Sequence, residues 1–124
     1  MKKYILIVCI ALTGMFKAQT SKELIGKWQL VETQINSQPQ DIKSTFGSDV
    51  VFQDFKQDSS FEAIIGKKSN KGKWELTKEK DVQILNITIG KNITKFKVDY
   101  FDENKRTISF INNGNTISLT YKKI

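Results

Sequence analysis

Leu24-Ile25-Gly26-Lys27-Trp28-Gln29-Leu30 is the stretch from which the rest of this chain is read. Gly26 and Trp28 open a strand on which Trp28 and Leu30 share one face and Lys27 and Gln29 the other, the period of two that marks a half-buried strand. This first strand runs to about Ile35. A strand with one apolar face needs a sheet around it, and the remaining sequence supplies one.

The same period recurs along the chain. Val50 to Lys56 forms a second strand, and Ser60 to Gly66 a third, with Phe61, Ala63 and Ile65 on one side. Gly72 to Thr77 brings Trp74 and Leu76 together, and Val82 to Ile89 does so for Leu85, Ile87 and Ile89. Ile93 to Phe101 alternates Phe96, Val98 and Tyr100 with Lys95, Lys97 and Asp99. Arg106 to Ile111 carries Ile108 and Phe110, and Thr116 to Lys122 carries Ile117, Leu119 and Tyr121. Asn113-Gly114 is a strong hairpin signal because both residues tolerate positive φ, and Gly90-Lys91-Asn92 and Asp102-Glu103-Asn104 are similarly short links. Tight turns make sequential strands antiparallel neighbours. The expectation is all-β: about eight antiparallel strands in an up-and-down barrel, whose closure removes exposed strand edges. One helical turn is expected over Gln19 to Glu23. The single long connection, Asn36 to Asp49, holds Pro39, Ile42 and Phe46 and reads either as a packed lid or short helix, or as a surface loop.

Upstream of the barrel lies a segment with the three parts of a secretory signal. Lys2 and Lys3 form its charged start, Tyr4 to Leu12 its apolar core, and cleavage is expected near Ala18. The apolar run is too short for a spanning helix, which needs about 20 residues. The division is therefore 1–18 signal peptide and 19–124 barrel domain, with a periplasmic or secreted address and no stable membrane anchor. Removal of the signal leaves 106 residues, enough for one domain with its own core. It takes Lys2, Lys3 and Lys17 and no acid, which lowers the formal charge from +7 to +4.

That mild positive charge is far from the density of a dedicated nucleic-acid binder. The most basic segment, Lys67-Lys68-Ser69-Asn70-Lys71-Gly72-Lys73-Trp74, reads as a solvated hairpin tip, or as an attractor of an anionic ligand or membrane surface. Export argues against nucleic acid as the partner, although an oligonucleotide-binding barrel of fewer strands is a third alternative. The chain has no histidine, and its one cysteine, Cys9, falls within the signal. Ser-His-Asp and Cys-His catalysis and imidazole or thiolate zinc sites are thereby excluded from the mature domain. Asp99, Asp102 and Glu103 cluster near a turn but lack the spacing of a calcium loop. No catalytic residue, metal or cofactor is expected.

On Gly26-Lys27-Trp28 at the start of the first strand, the chain resembles the small bacterial lipocalin-like domains, a calycin-type family. The resemblance extends over essentially the whole mature chain. Val98-Asp99-Tyr100 is similar to the family's Thr-Asp-Tyr element, with its first residue changed. The resemblance implies that Trp28 packs across the closed end of the barrel beneath a cation, and Arg106, the only arginine, is the candidate together with Lys122 and Lys123. Alternating strand directions place Tyr100, Arg106 and the end of the last strand at Trp28's end. Gly26, Trp28, Asp99, Tyr100 and Arg106 are accordingly assigned to structure.

The opposite end is then the open mouth. An eight-stranded barrel is just wide enough to be filled by side chains or to hold one small ligand. The inward set is expected to be Trp28, Leu30, Phe52, Phe61, Trp74, Phe96, Phe110 and Tyr121. Binding of a small apolar or amphipathic ligand would use Phe52, Ile65, Trp74, Phe96 and Phe110 as walls and Glu32 as a polar contact. The alternative is a protein-interaction or inhibitor module with a filled core. The sequence names no protein partner.

Overall fold

A computed structural model describes residues 20–124. The expected signal peptide and its cleavage point near Ala18 lie outside the described residues. Ser21–Leu24 forms one helical turn, α1, held by a reciprocal capping box between Thr20 and Glu23. Nine strands follow: β1 (Gly26–Ile35), β2 (Gln38–Gln40), β3 (Val51–Phe55), β4 (Ser60–Ile65), β5 (Lys68–Glu79), β6 (Val82–Ile89), β7 (Asn92–Phe101), β8 (Lys105–Asn112) and β9 (Asn115–Lys123). A short helix, α2 (Ile42–Phe46), sits between β2 and β3.

Every pairing is antiparallel, and β1 hydrogen-bonds to both β3 and β9, so β1 and β3 to β9 close into an eight-stranded up-and-down barrel. The expected fold class is what the chain adopts. The ninth strand, β2, is a short hairpin partner of Thr33–Ile35 and stands outside the ring. The long connection is not a bare loop: Ile42 and Phe46 of α2 pack against the core.

Turn geometry fixes the strand directions. Asn113 and Gly114 both have positive φ, +52° and +80°, the mirror-image turn whose twist suits a hairpin. Lys80 and Asp81 adopt the same conformation at φ +49° and +68° without glycine or asparagine.

The structure departs from the expected pattern in four places. A bulge between Leu30 and Glu32 in the β1–β9 pairing inserts Val31 as an extra residue. Val31 and Glu32 both face solvent and Thr33 turns inward, so the inward Glu32 expected from strict alternation is corrected. A second bulge, between Val98 and Tyr100 on the β7–β8 side, puts Tyr100 outside and Phe101 into the core. In β3 the buried residues are Val51, Gln53 and Phe55, which turns Phe52 outward. Finally, the basic segment is not a hairpin tip. Lys68 to Lys73 belongs to β5 and pairs residue by residue with Ile65 to Ser60 of β4, leaving Gly66-Lys67 as the turn.

Candidate functional site

The barrel interior differs from one end to the other. At the α1 end it is solid. The Trp28 indole N–H donates to the carbonyl of Leu24, 2.9 Å, which fastens α1 across the opening. Arg106 is fully buried beneath it, its guanidinium carbon 4.9 Å from the Trp28 ring centre, 4.9 Å from Phe55 and 4.8 Å from Tyr121. Lys123 also lies over Trp28, at 5.3 Å, and donates to the carbonyl of Glu23. The cation expected over Trp28 is thus present. Phe55 continues the cluster to Phe61, at 5.0 Å, and edge-on to Trp74, at 5.8 Å. The Trp74 N–H is satisfied by the carbonyl of Lys56.

Arg106 makes one side-chain hydrogen bond, from Nη2 to Oε1 of Gln53 at 2.7 Å. Its Nε and Nη1 have no partner. Burial pushes its pKa down to about 10, a shift that the neighbouring Tyr121 phenol partly opposes. Burial also pushes Tyr121 up to about 12. At neutral pH the pair is therefore a guanidinium and a neutral phenol.

Toward the mouth the interior opens into a cavity of about 300 Å³. Gln53 forms its floor, Phe61, Ala63, Ile87, Ile89 and Phe96 its walls, and Asn92 and Thr94 its polar margin. The sheet explains this set, because β3, β4, β6 and β7 each send alternate residues inward at the same height. Between β4 and β6 runs β5, where a methyl group at Gly72 would sit 2.0 Å from the carbonyl oxygen of Thr88. Glycine lets β5 come this close to β6 as it passes from pairing with β4 to pairing with β6.

Of the residues expected to touch a ligand, the structure brings Phe96 to the cavity and sets Phe110 edge-on behind it, 5.2 Å between centroids. Ile65 faces inward and packs on the core at the end of β4. Trp74 is not at the mouth: it sits at the closed end and borders a second, outer cleft of about 690 Å³ between α1 and β5. Phe52 lies outside the barrel with Lys27 Nζ 4.6 Å from its ring centre. Glu32 accepts a hydrogen bond from Gln34 on the exposed face.

The expected binding set omits the other cavity residues, Gln53, Phe61, Ala63, Ile87, Ile89, Asn92 and Thr94, although Phe61 was among those expected to face inward. The signal for Gln53 was present: Phe52 and Phe55 have opposite parity on one strand, so only one can point inward.

The assigned structural residues divide similarly. Gly26 has φ +129° with Lys123 packed 3.0 Å from where a Cβ would stand, and Trp28 and Arg106 build the closed end. Asp99 lies at the bulge, 3.8 Å from Lys97. The Tyr100 hydroxyl donates to Asp102 on the outer surface, 2.6 Å. Asp102 is occupied further by the backbone N–H groups of Asn104 and Lys105. Among the described residues no group of three or more His, Cys, Asp or Glu is arranged to hold a metal.

The fold and this site define the class: a closed, eight-stranded antiparallel barrel of calycin-like architecture, plugged at one end and hollow toward the other. Comparison with protein-family models and with curated proteins finds no match for the chain.

Proposed function

We propose that this is an exported, lipocalin-like, non-catalytic protein that binds a small apolar or amphipathic ligand in its barrel mouth. The observation that carries this reading is the mouth cavity itself, with five apolar walls above one polar floor residue. Its volume sits at the lower end of the roughly 300–1,000 Å³ typical of small-molecule sites, which limits the ligand to a short chain or a single small ring. An interaction module gains support from Ile93 and Ile111, exposed on the outer face near the mouth. They are two residues on neighbouring strands, and single exposed apolar side chains are ordinary. The carrier reading is therefore preferred.

Native mass spectrometry of the protein purified gently from its host's envelope fraction tests the proposal. The expected result is an added mass that dissociates on denaturation and is absent from a folded Ala63→Leu variant, whose larger side chain fills the cavity. A clean apo mass, with no rise in melting temperature on adding octanoate or octan-1-ol, would favour the interaction module instead.

A further inference from the structure

We infer that the ligand carries an anionic head group, held against Gln53 at the cavity floor with Arg106 behind it. This inference deepens the proposed binding function and rests on it. A fully buried guanidinium without an ionised partner carries a heavy desolvation cost. Three aromatic faces offset part of that cost. They do not remove the positive charge, and two of its donor nitrogens are left without acceptors.

Gln53 connects that charge to the cavity. A guanidinium can only donate, so the Gln53 amide must turn its carbonyl to Arg106, as the 2.7 Å contact records. The NH2 group is then what Gln53 has left to offer, and Gln53 lines the cavity floor. An amide whose oxygen accepts from a cation is polarised into a stronger donor. The remaining polar liners, Asn92 and Thr94, are neutral, and no carboxylate lines the cavity.

The approach to the mouth is mainly of the same sign, with Asp49, exposed beside the β4–β5 turn, the opposing charge. The β4–β5 link and the start of β5 carry Lys67 and Lys68, and the β6–β7 turn carries Lys91, all exposed. Asp41, on the connection beside them, is committed to Ser44 at the start of α2. An anion is favoured at the rim and again at the floor. An ammonium group is opposed at both, and a hydroxyl gains one hydrogen bond without the charge.

Three probes with one hydrocarbon chain separate these cases: octanoate, octan-1-ol and octylamine, titrated calorimetrically at neutral pH. Octanoate is expected to bind about tenfold more tightly than octan-1-ol, the margin of one charge-assisted over one neutral hydrogen bond, with octylamine weakest. Gln53→Glu places a carboxylate on Arg106, so it should keep affinity for octan-1-ol and abolish the advantage of octanoate. Should that variant not fold, Lys67→Gln/Lys68→Gln/Lys91→Gln decides the same point, since octanoate must keep its advantage without the rim charges. Equal binding of octanoate and octan-1-ol would overturn the head-group assignment and leave mouth binding intact. Failure of all three probes to bind would remove both. An octanoate preference that survives Gln53→Glu, or vanishes with the rim lysines, would mean that the anion is held outside the barrel.

Discussion

The two ends of this barrel are built from the same strands and solve opposite problems. At the closed end Trp28, Phe55 and Tyr121 surround Arg106, Trp74 packs edge-on against Phe55, and α1 is fastened across Trp28. Toward the mouth the small or polar Ala63, Thr94 and Gln53 take inward positions among Ile87, Ile89 and Phe96, and space is left over. In so small a domain, close packing and an open interior need not compete. One end supplies the close packing that offsets chain entropy, and the other is thereby free to remain hollow.

Removing one aromatic from each end gives the sharpest contrast. Trp28→Ala deletes a fully buried indole, its hydrogen bond to Leu24 and the ring under two cations, and should cost about 4–5 kcal/mol in urea denaturation. Phe96→Ala removes a half-buried cavity wall and should cost only about 1–2 kcal/mol while weakening ligand binding. Trp74→Ala belongs with Trp28 in this test, because its ring packs on Phe55. Equal losses for Trp28→Ala and Phe96→Ala would show that the mouth is as tightly packed as the base.

Gly72 tests the joint between the two halves. A Cβ there meets a backbone oxygen, which cannot rotate away, so Gly72→Ala should destabilise by about 3 kcal/mol through displacement of β5 from β6. Hydrogen exchange should localise the damage to the β5–β6 ladder near Thr88. A neutral effect would mean that β5 can shift freely at this point.

Arg106 comes next. Lysine keeps the charge but loses the planar face that three rings contact, so Arg106→Lys should cost about 2 kcal/mol or more. Arg106→Met keeps the volume, removes the desolvation cost and should cost less than Arg106→Lys. The reverse order in denaturation experiments would show that charge, and not stacking, is what the closed end requires.

Much of this arrangement was legible in the sequence. Period-two patterning and tight turns give eight strands and their order, and strand alternation places Arg106 at Trp28's end. Two bulges account for much of what was hidden. Val31 and Asp99 each add one residue to a strand with no change in composition, and every side chain beyond them changes face. Glu32 and Tyr100 were misoriented for that reason alone. In β3 the uncertainty was parity, since Phe52 and Phe55 offer equally good apolar registers until Gly26 pairs with Phe55. The first half of β5 was obscured for a different reason. Lys68 to Lys73 is polar on both faces because one faces solvent and the other faces the mouth, so no alternation marks it as strand.

The smallest predicted effect asks whether the two ends also differ in cooperativity. Hydrogen bonding to the Tyr100 hydroxyl, then to the N–H of Asn104, holds the Asp102 carboxyl below its ordinary range at the closed end. Bonds from the Ser44 hydroxyl and N–H do the same for Asp41 near the mouth. A carboxyl whose pKa is depressed by folding stabilises above its unfolded value, near 3.9 for aspartate, and that contribution is lost as pH falls through the folded value. Asp102 secures the β7–β8 turn, part of the closed sheet, so Asp102→Asn should flatten the acid limb of the global melting curve. Asp41 caps a five-residue helix outside the ring, which can open without the barrel. Asp41→Ala should therefore leave the global acid limb unchanged and speed amide exchange at Ser44 and Thr45 only. If both variants shifted the global acid limb alike, α2 would unfold with the barrel, and the mouth would be bound into the same cooperative unit as the base.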